Sequence, residues 1–236
     1  MLRSSKLYQV ARAAYVHLWV LPRTHRSYGK LSIAQAFSRI YSTKGWGSQD
    51  QEPYCSGTGS GGAAADEYCR LVGDFIREHG IQSVADLGCG DFRVGRRIVA
   101  DTGVRYTGVD VVPELVSYYQ RHFSREQVRF ECVNIASDPL PDAQLCLLRQ
   151  VLQHLSNAEI RCVLANVRKY SNVLISEHVP VRARSFNRDK AHGPDIRAYF
   201  RSGVYPDREP FSERPDRVWE TPLEHDSVLR TLLLRY

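Results

Sequence analysis

Short apolar runs and amphipathic segments alternate along the chain from residue 83 onward. The runs with the pattern of strands are SVADL, YTGVD, VRFECV, AQLCLLR and NVLISEH. The segments with helical spacing are FRVGRRIVADTG, PELVSYYQRHF and NAEIRCVLANVRKY. Pro113 in the first turn of the second helix, and Ser156 with Glu159 at capping-box spacing before the third, mark helix starts. This alternation predicts an α/β fold with a parallel, doubly wound sheet.

The last part of the chain departs from this alternation. Residues 180–216 are polar and rich in Pro and Arg, and the strand-like runs RVWETPL and SVLRTLLLRY follow with only a short polar turn between them. Two strands connected in this way form a hairpin, so the last strand is predicted to run antiparallel to the rest. The insert at about 180–216 is predicted to be a mobile cover over a binding site, with a solvated loop as the alternative.

The N-terminal region is basic. Residues 1–44 carry eight Lys or Arg and no Asp or Glu, whereas the remainder carries 24 Lys or Arg against 26 Asp or Glu. Within KLYQVARAAYVHLWVLP, one apolar stripe follows helical spacing, but Arg12 and His17 interrupt it and the segment is too short to span a bilayer. The helix is predicted to pack on its own domain or on a second copy of the chain, and peripheral contact with a membrane or an anionic partner is the alternative.

A second short helix is predicted in SIAQAFSRIYSTKGWG, with Ser32 as its N-cap. With 236 residues, of which 43% are hydrophobic, the chain can build one sizeable core. We therefore predict a basic helical arm over residues 1–45 and a single α/β domain over residues 46–236.

The six cysteines are scattered singly, with no C-x-x-C pair and no histidine cluster at zinc-ligand spacing. This pattern is typical of reduced thiols, so a cytoplasmic location is predicted. A secretory signal peptide fits poorly because Arg12 breaks the apolar region.

The segment VADLGCGDFRVG, residues 84–95, carries the strongest chemical signal. Its turn, with Gly88 and Gly90 between a strand and a helix, lets a ligand approach the backbone closely. Arg93 occupies the third glycine position of the dinucleotide fingerprint, which weakens a dinucleotide interpretation. Asp110 ends the next strand, where its carboxylate can accept hydrogen bonds from both ribose hydroxyls. The alternative role of Asp110 is a helix cap before VVPELV.

These motifs resemble those of class I S-adenosylmethionine-dependent methyltransferases. The resemblance covers about residues 45–178 and rests on VADLGCGDFRVG, YTGVDVVPELV, CVNIASDPLP and LCLLRQVLQHLS, in that order. It implies a Rossmann-like, seven-stranded sheet with an antiparallel last strand, and S-adenosylmethionine as the cofactor. More narrowly, WG, SGTGS, DLGCGDF and DPLP are similar to small bacterial sugar and polysaccharide O-methyltransferases.

The resemblance also implies roles for the matched positions. The turn holds the methionine part of the cofactor, Asp110 the ribose and Val111 one face of the adenine. Asn134 stands where many relatives have an aspartate that accepts from the adenine amino group, and its amide oxygen can also accept. The Gly/Ser loop at residues 55–62 is either a clamp on this ligand or a flexible linker. The predicted cofactor residues are Ser56, Ser60, Asp86, Gly88, Gly90, Asp110, Val111, Asn134, Ile135 and Arg149.

Methyl transfer from a sulfonium is an in-line displacement, and an alcohol acceptor also needs help in losing its proton. His154 follows the fourth strand directly and is predicted to be the general base, with an imidazole that titrates near working pH. A structural histidine is the alternative, and Glu177 and His178 are the further candidates for the base. The predicted acceptor-binding residues are Gln150, His192, Asp195 and Arg197.

The end of the fourth strand also restricts the reaction class. RQVLQH stands where base N-methyltransferases often carry an Asn-Pro-Pro-aromatic stretch, which disfavours nucleic-acid bases. Arg149 and Gln150 stand where metal-dependent O-methyltransferases place acidic ligands, so no metal is predicted, although Glu177, Asp189 and Asp195 could supply oxygen ligands.

The sequence thus predicts transfer of a methyl group to a hydroxyl of a sugar or oligosaccharide. The alternatives are a methyltransferase for another small hydroxyl or carboxyl compound, a cofactor-binding protein without catalysis, and an RNA-associated methyltransferase that uses the basic arm.

Overall fold

The computed structural model describes residues 27–48 and 52–236, which form an α/β sandwich around one mixed sheet. The seven strands are β1 Ser83–Leu87, β2 Arg105–Asp110, β3 Val128–Cys132, β4 Leu145–Arg149, β5 Asn172–Pro180, β6 Arg217–Leu223 and β7 Ser227–Arg235. Their order in the sheet is β3-β2-β1-β4-β5-β7-β6. β1 to β5 pair in parallel, and β7 pairs antiparallel with both β5 and β6. The predicted doubly wound sheet with an antiparallel last strand is confirmed.

The helices begin where the sequence carries start signals. They are α1 Ile33–Ser42, α2 Gly62–Glu78, α3 Arg93–Thr102, α4 Pro113–Phe123 and α5 Asn157–Asn166. Ser32 and Gln35 form a capping box at α1, and Ser156 and Glu159 form one at α5. Pro113 occupies the first turn of α4, where its missing N–H costs no helical hydrogen bond. These local signals therefore set the positions of three of the helix starts.

Helix α1 packs into the same hydrophobic core as the sheet. Phe37 is 8% exposed and Ile40 is fully buried in that core. Burying such side chains stabilises the fold by about 1.5–3 kcal/mol each. The domain boundary at residue 45 stays a prediction, but α1 on its N-terminal side is structurally part of the domain. The apolar stripe predicted within KLYQVARAAYVHLWVLP lies outside the described residues.

The insert at 180–216 is folded against the domain. Asn187, 4% exposed, donates to the carbonyl oxygens of Tyr205 and Glu209 at 2.8 Å, and it accepts from the Tyr205 N–H at 2.7 Å. Because buried amides need such partners, these bonds fix the insert's path. The insert is therefore an ordered wall, and the alternative of a solvated loop does not describe it.

No helix within residues 27–48 and 52–236 combines the length and the hydropathy needed to cross a membrane. The six cysteines form no disulfide, in line with their spacing in the sequence.

Candidate functional site

A cavity of about 1090 Å³ opens at the carboxyl ends of the parallel strands. Its lining includes Asp86 from β1, Asp110 from β2, Arg149 from β4 and His178 from β5. Doubly wound sheets bind ligands at this edge. Ligand pockets usually measure about 300–1000 Å³, so this cavity has room for a cofactor together with an acceptor.

The glycine turn after β1 forms one wall of the cavity. Gly88 and Gly90 have φ angles of +80° and +54°, in the left-handed region that favours glycine. A β-carbon on Gly88 would collide with the side chain of Val151, and one on Gly90 would collide with that of Ser56. The turn thus needs both glycines, for its backbone conformation and for its close packing.

Asp110 connects this turn to the start of α4. Its carboxylate accepts hydrogen bonds from the N–H groups of Gly90 and Val112, both at 3.1 Å. Burial raises its pKa to about 6, against the opposing effect of these N–H groups. The N-cap of α4 is Val112 and the helix has no side-chain cap, so Asp110 binds the residue before the helix and does not cap it. Each carboxylate oxygen has a second lone pair for a ligand in the cavity.

Asp86, at the end of β1, is a second buried carboxylate beside the turn. The hydroxyl of Tyr106 donates to it at 2.5 Å. Burial raises its pKa to about 6, while the Tyr106 hydrogen bond and the charge of Arg149 act in the opposite direction. Asp86 and Asp110 thus give this part of the cavity a negative potential near neutral pH.

The Gly/Ser loop is fixed against the glycine turn. Asp91 accepts from the Ser56 N–H and the Ser60 hydroxyl at 3.0 Å each, and its own N–H donates to the Ser56 hydroxyl oxygen at 2.8 Å. Tyr41 of α1 hydrogen-bonds the same Ser56 hydroxyl at 2.9 Å. Both serines line the cavity, and this network favours the clamp over the flexible linker. Sequence reasoning missed Asp91, although it directly follows Gly90.

Arg149 ties β4 to the same loop. Its Nη2 donates to the carbonyl oxygen of Gly59 at 2.6 Å, and its guanidinium lies 5.0 Å from the ring centre of Tyr68. Burial lowers its pKa, but an arginine keeps its charge at neutral pH. Gln150 follows with a φ of +57°, and its N–H donates to the Ser176 carbonyl oxygen at 2.7 Å. Both residues line the cavity, at the place that the sequence predicts.

The predicted adenine-side residues also line the cavity. Val111 and Ile135 supply apolar surface there. The Asn134 amide oxygen accepts from the Ala136 N–H at 3.1 Å, which leaves one lone pair for a ligand. The assignments to ribose and adenine remain proposals.

His154 lines the cavity beyond β4, but it does not titrate as expected. Its Nδ1 lies 3.2 Å from the Gly193 carbonyl oxygen and therefore carries the proton, so Nε2 accepts from the Gln153 amide at 3.4 Å. Burial, with the nearby charge of Lys190, lowers its pKa to about 3. The imidazole stays neutral across the working range, and the expectation of a titration near its usual pKa of about 6.5 is wrong.

His178 lines the cavity from the end of β5. Its ring makes no hydrogen bond to another of the described residues. Burial lowers its pKa, which favours the neutral imidazole at pH 7. His154 and Glu177, the other two predicted candidates for the base, are both hydrogen-bonded. Both ring nitrogens of His178 are unengaged within the described part of the chain.

Glu177 is placed differently from the prediction. It is 1% exposed and does not line the cavity. Its two carboxylate oxygens accept from the N–H groups of Leu152 at 2.8 Å and Gln153 at 3.1 Å. Burial raises its pKa, against these bonds and the charge of Arg197. Neighbouring residues on a strand face opposite sides, so Glu177 points away from the cavity that His178 lines. Its hydrogen bonds stabilise the turn after β4 instead. Among the described residues, no three metal-binding side chains form a cluster.

Arg197 is also structural, which corrects its predicted role in acceptor binding. It is 1% exposed, and burial lowers its pKa to about 10. Its guanidinium donates to the carbonyl oxygens of Leu152, Gln153, Leu155 and Arg188 and to the side chain of Asn157. These bonds use all of its donors, so Arg197 holds the insert to the segment after β4.

We expect Arg197→Ala to destabilise the fold by about 3–5 kcal/mol, because it leaves buried carbonyl groups unpaired beside Glu177. Thermal unfolding should show a melting temperature lower by roughly 10 °C. Arg184→Ala, at an exposed position of the same insert, should change it little. A normal melting temperature for Arg197→Ala combined with weaker acceptor binding would restore the original prediction.

His192 and Asp195, the other predicted acceptor-binding residues in the insert, do not line the cavity. The His192 ring contacts the Glu159 carboxylate at 2.7 Å and the Leu31 carbonyl oxygen at 3.1 Å. Both partners are acceptors, so His192 is held as an imidazolium and its pKa is raised, chiefly by Glu159. Asp195 lies between Pro194 and Ile196, whose side chains do line the cavity. His192 thus joins the insert to the starts of α1 and α5.

This ion pair predicts a pH-dependent contribution to stability. A raised folded-state pKa means that His192 stabilises the fold fully below about pH 6.5 and that this contribution disappears as pH rises through the folded pKa. Thermal unfolding of the wild type and His192→Gln should therefore differ more at pH 6 than at pH 9. An equal difference at both pH values would contradict a charged His192.

Residues 84–172 match the family model described as a methyltransferase domain. The fold is similar to human N-acetylserotonin methyltransferase in complex with SAM, with a TM-score of 0.56 and 14% identity over 99% of this chain and 69% of that chain. It is also similar to the N-methyltransferase NodS from Bradyrhizobium japonicum WM9 in complex with S-adenosyl-L-homocysteine, with a TM-score of 0.57 and 10% identity over 86% of this chain and 97% of that chain.

A third similar structure is the methyltransferase domain of bacterial CtHen1, with a TM-score of 0.56 and 12% identity over 74% of this chain and all of that chain. At these identities the likeness concerns the fold alone. No curated protein sequence matches the chain significantly. The domain match extends from β1 into β5 and includes the glycine turn, Asp110 and the end of β4, all of which meet at the cavity. The segment that carries the glycine turn, Asp110 and the end of β4 thus matches a methyltransferase domain.

Proposed function

We propose that the protein transfers a methyl group from S-adenosylmethionine to a hydroxyl group of a sugar or oligosaccharide. The observation that carries this proposal is the placement of His178 and the glycine turn on one continuous cavity. The turn offers a place for a cofactor, and His178 offers an unengaged base for an alcohol. Asp195 does not line this cavity, and the proposal assigns it no role.

The residues of the cavity fit this cofactor. Asp110 offers carboxylate lone pairs to a ribose, and Val111 and Ile135 offer apolar surface to an adenine ring. The negative potential from Asp86 and Asp110 complements the positive ammonium and sulfonium groups of the ligand. The bound cofactor supplies an electrophilic methyl group on sulfur.

The chain's own residues then orient the acceptor and accept its proton. We assign the general base to His178, because it is neutral and has free nitrogens. The acceptor oxygen forms the new bond to carbon as the carbon–sulfur bond breaks, and the hydroxyl proton moves to His178. Sulfur keeps the electron pair, so the product is S-adenosylhomocysteine. In this scheme His154 lines the cavity as a neutral imidazole and takes no proton from the acceptor.

Polar groups of the cavity support a hydroxylated acceptor. Gln150, Glu224 and His225 line it together with His178. Incubating the protein with methyl-labelled cofactor and a panel of sugars and oligosaccharides should label at least one of them. Labelling only of non-sugar alcohols or carboxylic acids would indicate a methyltransferase for another small hydroxyl or carboxyl compound. Salt-sensitive RNA binding with RNA labelling would indicate an RNA-associated methyltransferase.

A methyltransferase for another small hydroxyl compound is the second candidate. The apolar residues on the α1 side of the cavity favour it, since a fully hydroxylated ligand gains little from them. A cytoplasmic location and a homo-oligomeric state remain predictions from the sequence.

A further inference from the structure

Part of the cavity lining is built from apolar side chains that belong to distant parts of the chain. Helix α1 and the segment after it supply Ile33, Phe37 and Trp46, and the insert supplies Pro194 and Ile196. We call these five residues the aromatic wall. Because α1 precedes the glycine turn and the insert follows β5, only the folded chain brings them together.

Trp46 is the central ring of the aromatic wall. Its centroid lies 5.8 Å from that of Phe37, 5.1 Å from that of Tyr41 and 5.0 Å from that of His154. Its indole N–H points to the Pro194 carbonyl oxygen at 3.5 Å. The ring is thus held on several sides and its polar group already has a partner, so it offers a ligand apolar surface.

The His154 ring, which lies against Trp46, is also engaged. The two nitrogens of His154 interact with Gly193 and Gln153. A hydroxyl group that leaves water for the apolar side chains would lose hydrogen bonds, and among the described residues Gln153 Oε1 is the buried acceptor beside His154 that lacks a partner. An aryl or alkyl group instead gains free energy in proportion to the apolar area that it buries.

We propose that the aromatic wall binds an aryl or alkyl group that the acceptor carries beside the hydroxyl that is methylated. The proposal rests on the proposed function for the methyl transfer itself, and it narrows the acceptor to a substituted compound instead of a free, fully hydroxylated sugar. Trp46 is then a specificity-determining residue that touches the substituent and not the reacting atoms.

The test compares three probes on the full-length protein saturated with S-adenosylhomocysteine. Phenyl β-glucoside and methyl β-glucoside share a sugar but differ in the apolar group, and benzyl alcohol has the aromatic ring without a sugar. Calorimetry should show that phenyl β-glucoside binds at least about tenfold more tightly than methyl β-glucoside, as expected for added apolar contact in a pocket. Labelled cofactor then reports which probes are methylated.

Variants of the aromatic wall connect this difference to Trp46. Trp46→Ala should remove the preference for the phenyl group and leave the affinity for S-adenosylhomocysteine unchanged, whereas Trp46→Phe should keep most of the preference. If Trp46→Ala does not fold, Ile196→Ser provides the same test from the insert.

The outcomes separate this inference from the proposed function. If only benzyl alcohol binds and is methylated, the aromatic wall stands and the sugar assignment fails. If methyl β-glucoside binds as tightly as phenyl β-glucoside, the sugar assignment stands and the inference is overturned. Absence of binding by both aromatic probes also overturns the inference.

Discussion

Replacing Asp110 with Ala is expected to weaken binding of S-adenosylmethionine and of S-adenosylhomocysteine by at least about 100-fold. A hydrogen bond to a charged group contributes about 1.5–3 kcal/mol, and the carboxylate is proposed to accept two from the ribose. The substitution also removes the acceptor of the Gly90 and Val112 N–H groups, which loosens the turn itself. Calorimetry with S-adenosylhomocysteine measures the effect.

Asp110→Asn is the matched control, because it keeps the shape and one acceptor oxygen and should lose less affinity than Asp110→Ala. The pH dependence of binding provides an independent check. Since burial raises the pKa of Asp110 to about 6, the wild-type affinity should fall as pH drops below about 6 and the carboxylate becomes protonated. Tight binding of NAD without any response to S-adenosylhomocysteine would contradict the assignment of this site.

The cofactor side of the site could be predicted from the sequence because its determinants are local. Gly88 and Gly90 are required by the backbone conformation of one turn, and Asp110 ends the strand that pairs with the strand before that turn. The strand pattern brings these positions to one edge of a parallel sheet. Residues at the ends of two adjacent strands therefore lie next to each other in the site.

The acceptor side could not be predicted in the same way, because residue type does not reveal burial. In the sequence, Arg197 is predicted to bind the acceptor and Glu177 is a candidate base, but in the folded protein both are buried and hydrogen-bond the segment after β4. Their partners are backbone groups after β4, and a backbone group leaves no signal in a sequence. Phe37 and Trp46 were missed for the converse reason, since their contact with the cavity depends on how α1 packs.

Replacing His178 with Ala is expected to reduce turnover by about 100- to 10,000-fold, the usual range for the loss of general-base help. The argument is first geometric: His178 lines the cavity at the end of β5, and its ring has no other partner among the described residues. It is also electrostatic, since burial lowers the pKa of His178 and keeps the nitrogen lone pair available at pH 7. Single-turnover measurements with labelled cofactor test this directly.

His154→Ala is the matched comparison, because both imidazoles line the same cavity and only that of His178 is unengaged. The rate of the wild type should fall on the acid side, as pH drops through a pKa below the usual 6.5 of a histidine, because protonated His178 cannot accept the hydroxyl proton. In His178→Ala this acid limb should disappear while the affinity for S-adenosylhomocysteine is retained. If His154→Ala instead loses turnover and His178→Ala keeps it, the base is His154, and its buried, hydrogen-bonded imidazole must then act with a pKa of about 3.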